Sequence, residues 1–343
     1  MRILIAGGYG VFGRLLAQEL LASLPVQVVI AGRDLRRATR AARALGAGAE
    51  PLALDLQDLA SVASAATGCF AVVCAAGPFQ GLPLGLPATV ARVGVHWLDI
   101  SDHPGWVLPL LADTALHRQA AAADAVVIPG LSTVPALSGA LVRWARGKVA
   151  SPRRARVTLF IGNRNARGTA SIASALWSGW HDPVRVELPV GDRVAFRSHI
   201  PAVTRMDDRR RLAVEFRVAL EWRIVQEFVS IAQYFSRRAG TAGKVRLARL
   251  LGLVAAPLGR VGSDRGCLKV EVWSASGEMV SAVLMGGEQR MAVLPCLLAL
   301  EALHRGELKA RGCLQPDAWL APDAWVDRLQ ARGLTFHSEV PRG

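Results

Sequence analysis

Through the first 130 residues, short apolar runs alternate with segments of helical period. Arg2 to Ala6 reads as a buried strand, and Arg14 to Leu21 as the helix that follows it. Val26 to Ala31, Pro51 to Leu56, Phe70 to Cys74, Val95 to Ile100 and Ala125 to Ile128 repeat the strand pattern. Between them, Arg36 to Leu45, Asp58 to Ala66 and Leu86 to Val93 have the spacing of helices, and Trp106 to Ala122 reads as one long helix. Apolar strands that alternate with helices predict a parallel sheet covered on both faces. Six such strands predict an α/β fold with one doubly wound parallel sheet.

The pattern changes near residue 136. Leu137 to Ala145 reads as a connecting helix, and Val157 to Gly162 and Leu268 to Trp273 as strands of a second sheet. Gln226 to Leu258 is mostly helical and apolar along one side, and Arg290 to His304 is a strong helix. The partition this predicts is a nucleotide-type domain over 1–135, an α+β domain over 136–288, and a C-terminal helix and tail over 289–343. That last segment is expected to pack back on the first domain.

Composition narrows the function classes. The chain carries 41 basic and 27 acidic residues among 343, a net charge of +14, and only four of the basic residues are lysine. Such charge suits nucleic acid, an anionic membrane or phosphorylated ligands. The arginines are scattered and no zinc-finger spacing, RNA-binding aromatic motif or basic tail accompanies them, which argues against nucleic acid. Peripheral membrane contact stays open because of the apolar helices between Gln226 and Leu258. Five cysteines without a C-x-x-C pair, and an N-terminus that enters a strand at once, point to a reducing cytoplasm. The histidines show no metal-binding spacing, so no metal site is expected.

The first turn carries the strongest chemistry. Gly8, Gly10 and Gly13 have the G-x-G-x-x-G spacing of a dinucleotide site, with Tyr9, Val11 and Phe12 between them. The glycines allow a tight turn, a close approach to pyrophosphate and tight helix–strand packing. The following helix N-terminus favours the anion. The second strand ends in Gly32-Arg33-Asp34, so a small residue and an arginine stand where an NAD site usually has an acid. Arg33 can pair bidentately with a 2′-phosphate, which favours NADP. Asp34 remains able to swing in as a ribose acceptor. Asp55 is read either as a contact to the adenine amino group or as a helix N-cap. Ala75, Ala76 and Gly77 are small residues where the chain passes the cofactor.

Together with Ala31-Gly32-Arg33, Ala75-Ala76-Gly77-Pro78-Phe79, Leu98-Asp99-Ile100-Ser101-Asp102 and Pro129 to Ala136, this turn resembles the bacterial saccharopine dehydrogenase-like family. Gly262-Ser263-Asp264-Arg265-Gly266 also resembles it. The resemblance covers nearly the whole chain. It implies a Rossmann domain that binds NADP and an inserted α+β domain that often mediates dimerisation. It also implies membership of a group that includes saccharopine reductases, carboxynorspermidine dehydrogenases and trans-acting enoyl reductases. The amino-acid reductases of that family commonly carry an acid where this chain has Ser132, so the enoyl branch is ranked first.

Hydride acceptors gain negative charge, so a proton donor belongs near the sheet's carboxyl edge. The Tyr-x-x-x-Lys pair of short-chain dehydrogenases is absent. The candidate catalytic residues are Asp102, His103 and Ser132, with Asp99 also at that edge. His96 reads as a core histidine. The leading expectation is an NADPH-dependent reductase of an apolar, unsaturated small molecule, acting as a homodimer. The alternatives are an NADP-binding sensor or scaffold without turnover, and an amino-acid or polyamine imine reductase.

Overall fold

The apolar runs of the first 130 residues become β1 (Arg2–Ala6), β2 (Gln27–Gly32), β3 (Ala49–Ala53), β4 (Ala71–Cys74), β5 (His96–Asp99) and β6 (Val126–Ile128). In the computed structural model, which describes residues 1–165, 169–177, 179–198, 212–255 and 258–340, these strands are all parallel. Their order is β6-β5-β4-β1-β2-β3, the doubly wound arrangement. Ile3, Leu4, Ile5, Val28, Val29 and Ile30 are all essentially buried, as expected for strands covered on both faces.

Two differences from the sequence reading have local causes. A seventh strand, Gly312–Cys313, pairs with β6, so the sheet draws on a segment the sequence assigned to the tail. Gly312 has a positive φ of 95°, and a Cβ there would lie 2.7 Å from the His117 ring, so the short strand depends on a missing side chain. The single helix expected over 106–122 is two, Pro104–Ala112 and Thr114–Ala122. Asp113 stands extended between them and accepts from Ala115 N and Leu116 N, capping the second.

The chain divides into two compact units, Met1–Ser132 with Ala292–Trp319, and Thr133–Met291 with Leu320–Gly343. The 289–343 segment is therefore split between them. In the first unit, α1 (Val11–Ser23) buries Gly13, Leu16, Ala17 and Leu20, one stripe of a 3.6-residue period. Burying each leucine contributes about 1.5–3 kcal/mol. α2 (Leu35–Leu45) buries only Ala38, Ala41 and Ala42 and turns its arginines to solvent.

The second unit has a mixed sheet of β7 (Pro152–Ile161), β8 (His181–Val186), β9 (Arg193–Arg197), β10 (Ala213–Leu220), β11 (Arg265–Ser274), β12 (Met279–Gly287) and Thr335–Glu339. From one edge the order is Thr335–Glu339, β12, β11, β7, β10, β9, β8, with β7 and β10 the parallel pair. The two strands read from the sequence are the adjacent β7 and β11, with Val270 opposite Val157. Helix Thr241–Ala255 packs on Thr169–Trp177 through Ala173, Leu176 and Ala248, and helix Arg223–Phe235 joins the same cluster through Ala232. Among the described residues, no helix is long and apolar enough to cross a membrane.

Candidate functional site

The turn after β1 is shaped by backbone crowding. Gly7, one residue ahead of the sequence motif, has the positive φ (76°), and a Cβ on it would lie 2.8 Å from both Cα and N of Ala76. It therefore brings the first turn against the chain leaving β4, where Ala75 N also donates to Ala6 O at 2.8 Å. The Gly7-Gly8 doublet was the signal available for this role. A Cβ on Gly8 would sit 2.9 Å from Ile5 O, and one on Gly13 would collide with Gly7 O and lie 2.7 Å from Gly8 Cα. Gly10 opens α1 without a side-chain cap, and the first turn holds no acid. Tyr9, Val11 and Phe12 are half-buried there. An uncapped helix start behind a glycine cradle fits a pyrophosphate.

At the end of β2, Asp34 has a local structural role. Its carboxylate accepts from Arg37 N at 3.0 Å and caps α2. That cap uses one carboxylate oxygen, Oδ1, of an exposed side chain. The Tyr9 ring lies over Gly32, where a Cβ would be 2.7 Å from the ring's Cζ, and the Arg37 guanidinium stacks 4.6 Å from the ring centroid. Asp34 N donates to the Tyr9 hydroxyl at 3.4 Å. Arg33 is exposed beside them. Position 32 thus cannot hold an acid unless Tyr9 moves, and Arg33 and Arg37 stand at that edge beside the Asp34 cap. Asp55 is exposed and accepts from Gln57 N; the N-cap of the next helix, Leu59–Ala66, is Asp58. Asp55 is therefore not the cap the sequence allowed for.

On the other side of the sheet, one carboxylate organises the edge. Asp99 is wholly buried; its Oδ2 accepts from the indoles of Trp97 (3.0 Å) and Trp106 (2.9 Å), and its Oδ1 from Ser101 N and Gly130 N (3.0 Å each). Burial raises its pKa, and the four N–H donors act against that rise. With all four donors fixed, Asp99 is an anchor for the loops after β5 and β6, not a free proton donor. Phe79 packs on Trp106 at 5.5 Å, fixing the segment after Ala75, Ala76 and Gly77. Cys74 and Cys296 are buried near Asp99, and desolvation pushes both thiols far up, so neither is a nucleophile.

The three catalytic candidates sit in the loops that Asp99 anchors. Asp102 is half-buried and its pKa is raised by burial. His103 is half-buried, has its pKa lowered by burial, and donates its backbone N–H to Ser101 Oγ at 3.2 Å. The Ser132 hydroxyl is buried without a hydrogen-bond partner. Among the described hydrogen bonds, none joins these three side chains. His96 is a structural group, its Nδ1 accepting from Val126 N at 3.1 Å.

Residues 3–128 match the family model of the saccharopine dehydrogenase NADP binding domain. A nicotinamide dinucleotide is the cofactor of such a domain. Among solved structures, the chain is similar to apo saccharopine dehydrogenase (L-Glu forming) from Saccharomyces cerevisiae, with 13% identity over 99% of this chain and 100% of that one. The TM-score of 0.64 shows a shared fold. GenD2 from gentamicin A biosynthesis, in complex with NAD, is 14% identical over 100% of this chain and 97% of its own, with a TM-score of 0.45. A probable dehydrogenase from Thermotoga maritima is 11% identical over 94% and 92%, with a TM-score of 0.47. No curated protein matches the chain.

Proposed function

We propose that this chain, a saccharopine dehydrogenase-like NADP-dependent oxidoreductase, uses NADPH to reduce an unsaturated bond (C=C, C=N or C=O) in a small-molecule or lipid-like substrate. The observation that carries the cofactor choice is the Tyr9–Arg37 stack over Gly32, with Asp34 held as a helix cap. That arrangement favours arginine at the ribose 2′ position. Gly7, Gly8, Gly10 and Gly13 with the start of α1 would hold the pyrophosphate, Arg33 and Arg37 the 2′-phosphate, and Ala75 to Gly77 the cofactor's far half. When bound, the nicotinamide supplies the hydride.

The chain's own part is to position the acceptor and deliver a proton. Asp102, with its pKa raised by burial, can keep a proton on its carboxyl closer to neutral pH than an exposed aspartate does. The Ser132 hydroxyl, unpartnered in the fold, is free to donate to a substrate oxygen or nitrogen. The dimer and the apolar character of the substrate belong to this reading. A second reading, NADP binding without turnover, draws on the lack of a bonded acid–base pair among Asp102, His103 and Ser132.

Titration with NADPH and NADH, followed by nicotinamide fluorescence, tests the cofactor assignment. Wild type should prefer NADPH, and Arg33→Glu should weaken it by about tenfold or more, the worth of one charged hydrogen bond. Equal affinity for the two nucleotides, kept in the variant, would reject the assignment. NADPH oxidation with enoyl, imine and carbonyl acceptors, lost in Asp102→Asn, separates the reductase from the sensor.

A further inference from the structure

Helix Arg223–Phe235 is built inside out. Its buried positions are Gln226 and Gln233. The Gln226 amide donates to Val218 O at 2.8 Å. The Gln233 amide donates to Ala175 O at 2.6 Å, and its carbonyl accepts from Trp180 N at 2.9 Å. The outward face carries Ile224, Phe228, Ile231 and Phe235 at i, i+4, i+7 and i+11, between 53% and 80% exposed. Helix Thr241–Ala255, which packs on the same neighbour, leaves Leu250 and Leu253 exposed as well. A contiguous helical stripe of large apolar side chains in water marks an interaction surface, unlike scattered single residues.

Charge identifies what covers it. From 223 to 260 the chain has six arginines and one lysine against a single acid, Glu227. Arg223, Arg237, Arg238, Arg246, Arg249 and Arg260 are exposed, whereas Lys244 is buried with its ammonium 4.7 Å from the Trp177 ring centroid. A second copy docked on this face would set arginines against arginines, whereas an anionic surface would neutralise them. An apolar stripe flanked by arginine is the composition of a helix that lies in a membrane interface.

We propose that helices Arg223–Phe235 and Thr241–Ala255 seat this protein on an anionic phospholipid surface, with Ile224, Phe228, Ile231 and Phe235 entering the acyl boundary and the arginines meeting headgroups. The attachment is peripheral and reversible, and it stands independently of the reductase reading.

Flotation of the full chain with vesicles tests this. Wild type should float with equal parts phosphatidylglycerol and phosphatidylcholine at low salt, and not with phosphatidylcholine alone. Phe228→Glu with Ile231→Glu should abolish flotation, and Arg237→Glu with Arg238→Glu should weaken it more than about tenfold. Both variants change exposed positions, and each should keep the wild-type circular dichroism spectrum and NADPH affinity. NADPH titration of the same samples keeps this outcome separate from that of the cofactor reading. Wild type that does not float, or variants that float as well as wild type, would overturn the proposal. A wild-type dimer that the Phe228/Ile231 variant splits, without flotation, would assign the face to self-association instead.

Discussion

At the β1–β2 side of the parallel sheet the chain is kept open by missing side chains, whereas at the β4–β5–β6 side it is closed around a charged one. Gly7, Gly8, Gly13 and Gly32 each stand where a Cβ would meet backbone or the Tyr9 ring at contact distance or closer. Asp99 draws two indoles and two backbone amides onto one buried carboxylate. The first arrangement leaves room and free N–H groups for an anion. The second fixes loops so that Asp102, His103 and Ser132 are held at the same edge. Changes on the open side should therefore act on binding with little effect on folding, and changes on the closed side should do the reverse.

The largest effect is expected from Asp99→Asn. The amide keeps one acceptor oxygen and turns an NH2 toward the other pair of donors, so two of four hydrogen bonds become donor against donor. With each unsatisfied buried donor costing about 1–3 kcal/mol, the variant should lose about 4 kcal/mol of stability. Urea unfolding followed by tryptophan fluorescence reads this, since Trp97 and Trp106 supply two of the four donors. A midpoint equal to wild type would mean that the carboxylate does not anchor the edge.

Gly32→Asp is the matching change on the open side. It introduces the acid that an NAD site carries, and here it must displace Tyr9 and with it the Arg37 stack. The lost cation–π contact and phosphate pairing together predict an NADPH affinity about thirtyfold weaker. NADH affinity should change by less than about threefold, and the urea midpoint should move little. Weakening of both nucleotides alike would show that Tyr9 serves the turn as a whole rather than the 2′ position.

The two sides also differ in how far they could be read from sequence. Glycine spacing, the strand before it and Gly32-Arg33 are local signals, and the doubly wound sheet follows from runs that are apolar on both faces. Tyr9 over Gly32 was not legible, because 22 intervening residues of chain separate a contact that only the parallel pairing of β1 with β2 creates. Asp99 stood out as an acid at the edge, but its donors come from β5, a helix seven residues on and the loop after β6. No periodicity reports such a convergence. The two-residue strand Gly312–Cys313 was hidden for the same reason, being too short to carry a pattern. In the second unit, Arg223–Phe235 misleads a pattern reader more directly: its apolar side is the outer one.

The smallest expected effect concerns pH, and it also separates the two sides. Burial holds His96 and His103, both on the closed side, below the ordinary imidazole value, with the Arg311 charge adding to it at His96 and Asp124 opposing. The unfolded chain therefore takes up protons near the ordinary value of about 6.5 while the fold does not. Stability is full above that pH and falls as the pH drops through it. Asp102 and Asp99, raised by burial, act in the opposite sense at lower pH, so the decline should be shallow. Tm measured from pH 7.5 to 5.5 should fall modestly in wild type and less in His96→Asn, whose side-chain oxygen can still accept from Val126 N. NADPH affinity on the open side should instead follow the second ionisation of the ligand's own 2′-phosphate, at about pH 6 for a phosphate monoester, and its pH dependence should be unchanged in His96→Asn. A Tm that rises as the pH drops would show that the buried carboxyl groups, rather than the histidines, govern the closed side.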